Sequence, residues 1–247
     1  MAKNDFRDII DFLSPKEKDY MKYINEHVAN VHNVWKRVKL INFQGEKEET
    51  LVKMVDKAVE THDISKYMGN EFTGYRQYFF PEDGTKKDKA AFEKAWNSHQ
   101  KANSHHWQYH LLFCPDHTTK ALYMPTIDTL EMLSDWAAMS IKFENVPSEW
   151  YAKNKEFMLL HPTTKDSIEV FMPMFDEAVD LIIRGVPEPE IIVNKAPEKK
   201  KKAAAKRPTV KKTLAKAKEK EKTEAEEKKK EKKKVAPKKK ATVKKEK

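Results

Sequence analysis

Apolar residues recur at intervals of three or four positions through much of the first 194 residues. This spacing matches the 3.6-residue period of an α-helix and predicts helices with one buried face. The first helix should begin at Ser14-Pro15, where an N-cap and a first-turn proline are followed by a capping-box glutamate, Glu17. Its inward positions are Tyr20, Ile24, His27, Val31, Val34 and Val38. His27 therefore lies on the predicted buried face, whereas His32 does not.

The same period predicts six further helices. They are expected at about 48–66, 70–79, 87–101 and 125–143, with two more starting near Ser148 and Thr164. Pro173 should bend or restart the last helix, because proline removes a helical hydrogen bond. Patterns typical of strands are nearly absent. Residues 1–194 are thus predicted to form one all-α domain.

Charge divides the chain near residue 195. Residues 195–247 contain 25 Lys/Arg and 8 Asp/Glu, a net charge of +17, whereas residues 1–194 carry −7. This tail has no aromatic residue, and its Lys/Ala/Glu/Pro composition cannot bury enough apolar surface to fold alone. We therefore expect residues 195–247 to be disordered.

The basic tail suggests a polyanionic partner. Its lysines could neutralise nucleic-acid phosphates without reading base sequence, and a purely solubilising extension is the alternative. No helix-turn-helix, zinc-finger or RNA-recognition signature accompanies the tail, so sequence-specific base readout is not supported.

Cysteine usage and hydropathy indicate the compartment. Cys114 is the only cysteine, so no intramolecular disulfide can form. The chain has no 18-residue apolar run, and its N-terminus lacks the apolar segment of a secretory signal. These features favour a soluble cytoplasmic protein without a membrane partner.

Histidines and aspartates on the predicted buried faces carry the chemical signal. His27, His62 and His99 each lie on the apolar face of a different predicted helix. Asp63 adjoins His62, and Asp135 lies at the edge of another such face. Burying these groups without partners is costly, and a shared metal ion removes that cost. Imidazoles and carboxylates together suit a divalent transition metal, namely Mn, Fe, Ni, Co or Zn.

These residues also carry a family resemblance. His27, then His62-Asp63-Ile64-Ser65-Lys66, then Asp135 resembles the H…HD…D signature of HD-domain metal-dependent phosphohydrolases. The second block is close to the usual HD-x-G-K form, with Ser65 in place of glycine. The wider pattern, over about residues 20–175, resembles an uncharacterised phage and bacterial branch. A phage-encoded member would act in the host cytoplasm.

The resemblance implies an HD-type helical bundle that binds one or two metal ions through histidines and aspartates. The ligands implied for the first ion are His27, His62, Asp63 and Asp135. Asp63 would bridge to a second ion, whose other ligands would be His99 and one of His105 and His106.

The resemblance also implies a small phosphorylated substrate, because hydrolytic members use a metal-activated water to attack phosphorus. Asp63 and Lys66 are the expected catalytic residues. Lys66, Arg76 and Lys101 are candidates for phosphate contact. Lys66 could equally complement the dipole at a helix C-terminus, and Arg76 and Lys101 are weaker candidates, because lone basic residues are usually solvated surface.

Other side chains could support the site. Glu71 and Glu131 are candidates to accept hydrogen bonds from ligating imidazoles. Trp96, Trp107 and Trp136 fit a core role better than a stacking platform for bases.

Three functions are compatible with this sequence. The leading hypothesis is a phosphohydrolase that acts on a nucleotide or another small phosphoester. An HD-fold di-iron oxygenase would use a similar ligand set. A non-enzymatic, DNA-associated phage protein would retain the metal site in a structural or vestigial role.

Overall fold

The computed structural model describes residues 12–188, so the predictions for residues 195–247 lie outside the described residues. The described part is all-α apart from one short hairpin, as predicted. Its helices are α1 (Pro15–Asn42), α2 (Glu49–Glu60), α3 (Gly69–Phe79), α4 (Lys89–Ala102), α5 (Thr126–Lys142), α6 (Pro147–Asn154) and α7 (Pro162–Ile183). Three 3-10 turns lie at Ile64–Tyr67, Trp107–His110 and Lys155–Phe157. Within this range, no helix has both the length and the apolar character needed to cross a bilayer.

Helix α1 begins as its sequence predicts. The Ser14 hydroxyl accepts a hydrogen bond from the Glu17 backbone N–H at 3.3 Å, and the Glu17 carboxylate accepts one from the Ser14 N–H at 2.8 Å. This reciprocal pair satisfies two N–H groups that the first helical turn leaves without partners. All six predicted inward positions are buried, including His27, whereas His32 is exposed.

The main core lies where α5 packs against α1 and α7. Val34, Leu133 and Phe175 are completely buried there, and each side chain of this kind contributes about 1.5–3 kcal/mol when it leaves water. Because α5 is central, its inward face can carry polar residues into the interior. Glu131 is one of them, with only 6% of its surface exposed.

Helices α3 and α4 form a closely packed pair beside α1. Gly74 makes this approach possible, because a Cβ atom there would lie 2.6 Å from the Ala91 carbonyl oxygen and 2.7 Å from the Ala95 Cβ. The contact aligns two polar residues of these helices, Glu71 and His99, which are both buried.

Three local features differ from the sequence-based prediction. Helix α2 ends at Glu60 rather than near residue 66, because Asp63 adopts the left-handed conformation (φ 58°, ψ 17°), which a helix cannot continue. Helix α7 runs through Pro173 without a break; large buried residues on both sides of the proline, such as Phe171 and Phe175, hold it in place.

The third difference is an antiparallel hairpin of Leu111–Phe113 with Thr119–Ala121. Three-residue strands are too short to show a clear alternation of polar and apolar positions. The hairpin turn is stabilised by the Asp116 carboxylate, which accepts a hydrogen bond from the Thr118 N–H at 3.1 Å.

Candidate metal centre

The fold brings all seven ligand candidates into one cluster. His27 comes from α1, His62 and Asp63 from the turn after α2, and Asp135 from α5. His99 lies on α4, and His105 and His106 follow that helix directly. The centre of the cluster lies in the protein interior, since the side chains of four members are at most 3% exposed: His62, Asp63, His99 and His105.

One half of the cluster, subsite 1, consists of His27, His62, Asp135 and one oxygen of Asp63. Asp63 Oδ2 lies 3.5 Å from both His27 Nε2 and His62 Nε2. Asp135 Oδ1 lies 3.1 Å from His27 Nε2 and 3.9 Å from His62 Nε2. Two imidazole nitrogens and two carboxylate oxygens therefore face a common point.

The other half, subsite 2, uses the second oxygen of the same aspartate. Asp63 Oδ1 lies 3.1 Å from His99 Nε2 and 3.6 Å from His105 Nε2. With His106, these residues each offer a ligand atom within 4.8 Å of the others. Asp63 is thus the one side chain shared by both subsites.

Unsatisfied polar atoms mark the centre of the cluster. Asp63 Oδ1 and the Nε2 atoms of five histidines are buried without a hydrogen-bond partner among the described residues; these histidines are His27, His62, His99, His105 and His106. These nitrogens lie close to carboxylate oxygens, but the pairs do not have hydrogen-bond geometry. A single unsatisfied buried group costs about 1–3 kcal/mol, so six at one point call for a shared partner. These buried clusters could hold a metal ion.

Hydrogen bonds on the far side of the rings fix their orientation. Glu131 Oε1 lies 2.9 Å from His62 Nδ1 and 3.1 Å from His105 Nδ1. Glu71 Oε2 lies 3.0 Å from His99 Nδ1. An ionised carboxylate can only accept, so each Nδ1–H donates and the Nε2 lone pair faces the cluster, as metal binding requires. His62, His105 and Glu131 are also close enough to hold an ion together, but these hydrogen bonds already satisfy that contact.

A further layer supports His99 from behind. The Ser65 hydroxyl donates to Glu71 Oε2 at 2.6 Å, and the Asn103 amide donates to Ser65 Oγ at 3.0 Å. The Asn103 amide also donates to the backbone carbonyl of His99 at 2.8 Å. Ser65 therefore helps to orient a ligand candidate. Sequence reasoning did not assign it this role.

The electrostatics keep the carboxylates ionised. Burial would raise the pKa of Glu131, but hydrogen bonds from His105 and His62 lower it to about 2. Burial opposes ionisation of Asp63 as well, yet the Lys66 ammonium and the adjacent His62 ring hold its pKa well below the usual value. Burial, aided by the neighbouring His105 ring, lowers the pKa of His106 to about 2. At neutral pH the cluster therefore offers anionic oxygens and a neutral imidazole.

His27 behaves differently in the metal-free cluster. Burial alone would lower its pKa, but the carboxylates of Asp135 and Asp63 outweigh burial and raise the pKa to about 9. A metal ion in subsite 1 would have to displace that proton, since only the neutral imidazole is a ligand.

Lys66 is the predicted phosphate contact that lies at the cluster. Its ammonium donates to Asp63 Oδ2 and lies 5.6 Å from the centre of the Tyr75 ring. The structure does not bring the other two candidates there. Arg76 pairs with Glu82 at 2.8 Å, and Lys101 is exposed on the last turn of α4.

A cleft of about 560 Å³ opens beside the cluster, and we call it the aromatic cleft. The histidine, lysine and carboxylate residues of its lining are His27, Lys66, His106 and Asp135. The aromatic residues of its inner wall are Tyr20, Tyr75, Trp96, Trp107 and Trp136. The three tryptophans are half-buried at this surface, and Trp96 also packs against the hydrophobic cluster that contains Tyr20 and Tyr75, as its sequence position favoured.

Three further lining residues have polar atoms without a partner, and sequence reasoning missed all three. The hydroxyls of Tyr20 and Tyr75 and the Oε1 atom of Gln108 are buried without a hydrogen bond among the described residues. Burial raises the pKa of both tyrosines, so their hydroxyls stay protonated and can donate. Tyr20 lies on the inward stripe of α1, and only that position could have suggested its place here.

Comparison with known proteins gives one result. No curated protein and no solved structure matches the chain. A protein-family model does match residues 16–174, a segment that contains every ligand candidate. The chain therefore belongs to DUF5662, a family of unknown function.

Proposed function

We propose that the chain is a metal-dependent phosphohydrolase with an HD-type centre, acting on a nucleotide or another small phosphoester. The observation that carries this proposal is the convergence of five buried, unpartnered imidazole nitrogens on the two oxygens of Asp63, beside an open cleft. A purely structural cluster would need no such opening.

The donor set indicates which ions would fit. Subsites 1 and 2 combine imidazole nitrogens with carboxylate oxygens and contain no thiolate. This combination suits one or two ions of Mn, Fe, Co, Ni or Zn better than Mg or Ca, which prefer oxygen ligands alone. When bound, such an ion supplies Lewis acidity and lowers the pKa of a coordinated water.

The chain's own residues would bind the phosphoryl group. Lys66 is the one Lys or Arg side chain on the described lining of the aromatic cleft, and it can neutralise charge on a phosphoryl oxygen. The unpartnered hydroxyls of Tyr20 and Tyr75 can donate to the other oxygens. In the reaction a water oxygen bonds to phosphorus, the ester P–O bond breaks, and the alcohol leaves with a proton.

The test compares metal content and hydrolysis in two aspartate variants. We expect the purified full-length protein to contain a transition metal and to hydrolyse members of a phosphoester panel. Asp63→Asn should lose both properties while it keeps its helical circular dichroism, because it removes the charge shared by both subsites. Asp116→Asn, on the exposed hairpin turn, is the matched control and should keep both. Wild-type protein that binds no transition metal would overturn the proposal.

The character of the cleft supports a second candidate, an HD-fold di-iron oxygenase. Apolar aromatic walls and a single lysine also suit an uncharged organic substrate, and two subsites that share one carboxylate suit a pair of iron ions. Bound iron, oxygen-dependent turnover and no hydrolysis of any phosphoester would favour this candidate over the first.

A further inference from the structure

The mouth of the aromatic cleft is formed by exposed aromatic side chains. Phe79, Phe143, Trp150 and Phe157 line the cleft and are 44%, 63%, 39% and 83% exposed. Large aromatic residues are normally covered by protein, and these four lie on, or directly after, four separate helices or turns around one opening. An apolar surface of this kind is typical of a ligand-binding groove.

The charges of the cleft lie at one end only. Asp135 belongs to the histidine–aspartate cluster and Lys66 donates to it. Apart from His27 and His106, which belong to the same cluster, the other described lining residues are uncharged. A ligand that fits this distribution has a compact anionic end and a long uncharged end. A polyphosphate would place several negative charges against one lysine. A sugar would bury many hydroxyls against walls in which aromatic and aliphatic side chains outnumber the hydroxyl and amide groups.

The aromatic walls also favour a particular shape. Flat rings stack on, or meet edge to face with, flat rings, and tryptophan offers the largest surface for this contact. Trp136 already makes such contacts within the protein, with its ring 4.8 Å from that of Trp150 and 5.8 Å from that of Tyr151. The unpartnered Gln108 Oε1 adds one buried acceptor to the same wall.

We infer that the aromatic cleft selects phosphate monoesters whose organic part is a planar, largely apolar ring system. The phosphate lies at Lys66 and the histidine–aspartate cluster. The ring lies between the tryptophans of the inner wall and the exposed phenylalanines at the mouth of the cleft. This inference rests on the proposed function, which it narrows to one class of substrate.

The test measures binding rather than turnover, so it is independent of catalysis. Phosphonates are suitable probes because their P–C bond is not hydrolysed. Calorimetric titration of the metal-loaded full chain should show 1-naphthylmethylphosphonate binding at least tenfold more tightly than methylphosphonate. It should also bind at least tenfold more tightly than the uncharged 1-naphthalenemethanol, because that alcohol lacks the anionic end.

Two phenylalanine variants locate the effect. Phe157→Ala should reduce the preference for the naphthyl probe at least fivefold and leave methylphosphonate binding unchanged. Its side chain is 83% exposed, so the substitution leaves no core cavity. Phe113→Ala is the matched control, since Phe113 is 74% exposed on the hairpin and does not line the cleft; it should bind both phosphonates as the wild type does.

Three results would overturn the inference: equal binding of the two phosphonates, binding of the alcohol as tight as that of the naphthyl probe, or equal loss in both phenylalanine variants. Failure of the proposed function looks different. In that case the naphthyl probe binds selectively, but no phosphoester is hydrolysed.

Discussion

Glu131 holds two imidazoles with one oxygen atom, and each imidazole belongs to a different subsite. His62 and His105 approach it at 2.9 and 3.1 Å, and the pKa of about 2 means that it remains an acceptor throughout the neutral range. An amide in its place would have a weaker acceptor and could turn its NH₂ group toward the rings.

We therefore predict that Glu131→Gln weakens metal binding about 10- to 100-fold, the usual effect of losing a carboxylate that orients a ligand. The measurement is competition for the metal with a chelator of known affinity. Glu60→Gln, on the exposed end of α2, is the control and should bind metal as tightly as the wild type. An affinity unchanged by Glu131→Gln would show that the carboxylate has no such orienting role.

The raised pKa of His27 makes a prediction about pH and stability. The folded-state pKa is about 9, above the usual 6.5. The stabilisation that protonated His27 gives to the folded protein is therefore fully present below about pH 6.5. It is lost as the pH rises toward 9, because the folded protein then gives up the extra proton. Urea unfolding of chelator-treated protein should therefore show a falling free energy of unfolding between pH 6.5 and 9.5. His27→Gln should remove most of this slope, and His32→Gln should not.

Single residues show where sequence reasoning succeeds and where it stops. Helical phase distinguished His27 from His32, because burial on a helix follows a fixed period. It could not reveal that Glu131 serves two rings, because Glu131 lies 69 positions from His62 and 26 positions from His105. Nor could it reveal that Ser65 supports Glu71, because that contact joins a turn to a helix. Spacing along one helix does not encode how two elements cross.

At the scale of the elements, the α3–α4 contact determines how well His99 is aligned. Gly74→Ala would place a methyl group 2.6 Å from a backbone carbonyl that cannot move away without shifting α4. We predict a loss of about 1–3 kcal/mol in the free energy of unfolding, as is usual for overpacking. Weaker metal binding should accompany it, because His99 and Glu71 lie on the two helices that must separate.

Glycine at another position gives the control for this prediction. A Cβ atom at Gly45 would meet only the flexible Glu48 side chain, at 3.4 Å. Gly45→Ala should therefore change stability little and metal binding not at all. Thermal unfolding measures the stability of both glycine variants, and the chelator competition measures their metal affinity. Equal effects of the two substitutions would contradict the proposed role of the α3–α4 contact.

The helix ends illustrate a second limit of sequence patterns. The capping box at Ser14 and Glu17 predicted the start of α1 correctly, since both partners lie within one turn. The end of α2 was predicted about six residues too late. His62 continues the apolar period of that helix, yet Asp63 reverses the backbone with φ 58°, a conformation that aspartate tolerates better than most residues.

At the scale of the whole molecule, the uneven charge predicts a separable polyanion-binding function. Residues 195–247 carry a net charge of +17 and residues 1–194 carry −7. Truncation after Asn194 should abolish retention on immobilised DNA at low salt, while metal content and helical signal persist. The full chain should elute progressively earlier as salt rises, because binding of this kind depends on counterion release. Undiminished retention of the truncated protein would contradict the electrostatic explanation.

The overall fold class followed from the sequence, but the aromatic cleft did not. Periodicity identifies which face of each helix turns inward, and that was enough to predict an all-α domain with its ligand candidates inside. The cleft depends on how α4, α5 and α6 are arranged around one opening. Trp136 shows the difficulty, since a half-buried tryptophan has the same sequence pattern at a core boundary as in a cleft wall.

The shared aspartate has a thermodynamic consequence for the loading of the centre. Each oxygen of Asp63 serves a different subsite, so an ion in subsite 1 would restrict the rotation of the carboxylate and leave its other oxygen already aimed at His99. The second ion would then bind a preorganised site, and the two affinities would be positively coupled. By the same reciprocity, a weakly held ion in either position would be stabilised whenever the other is filled. A sigmoidal metal titration, rather than two independent steps, is the expected signature of such cooperativity.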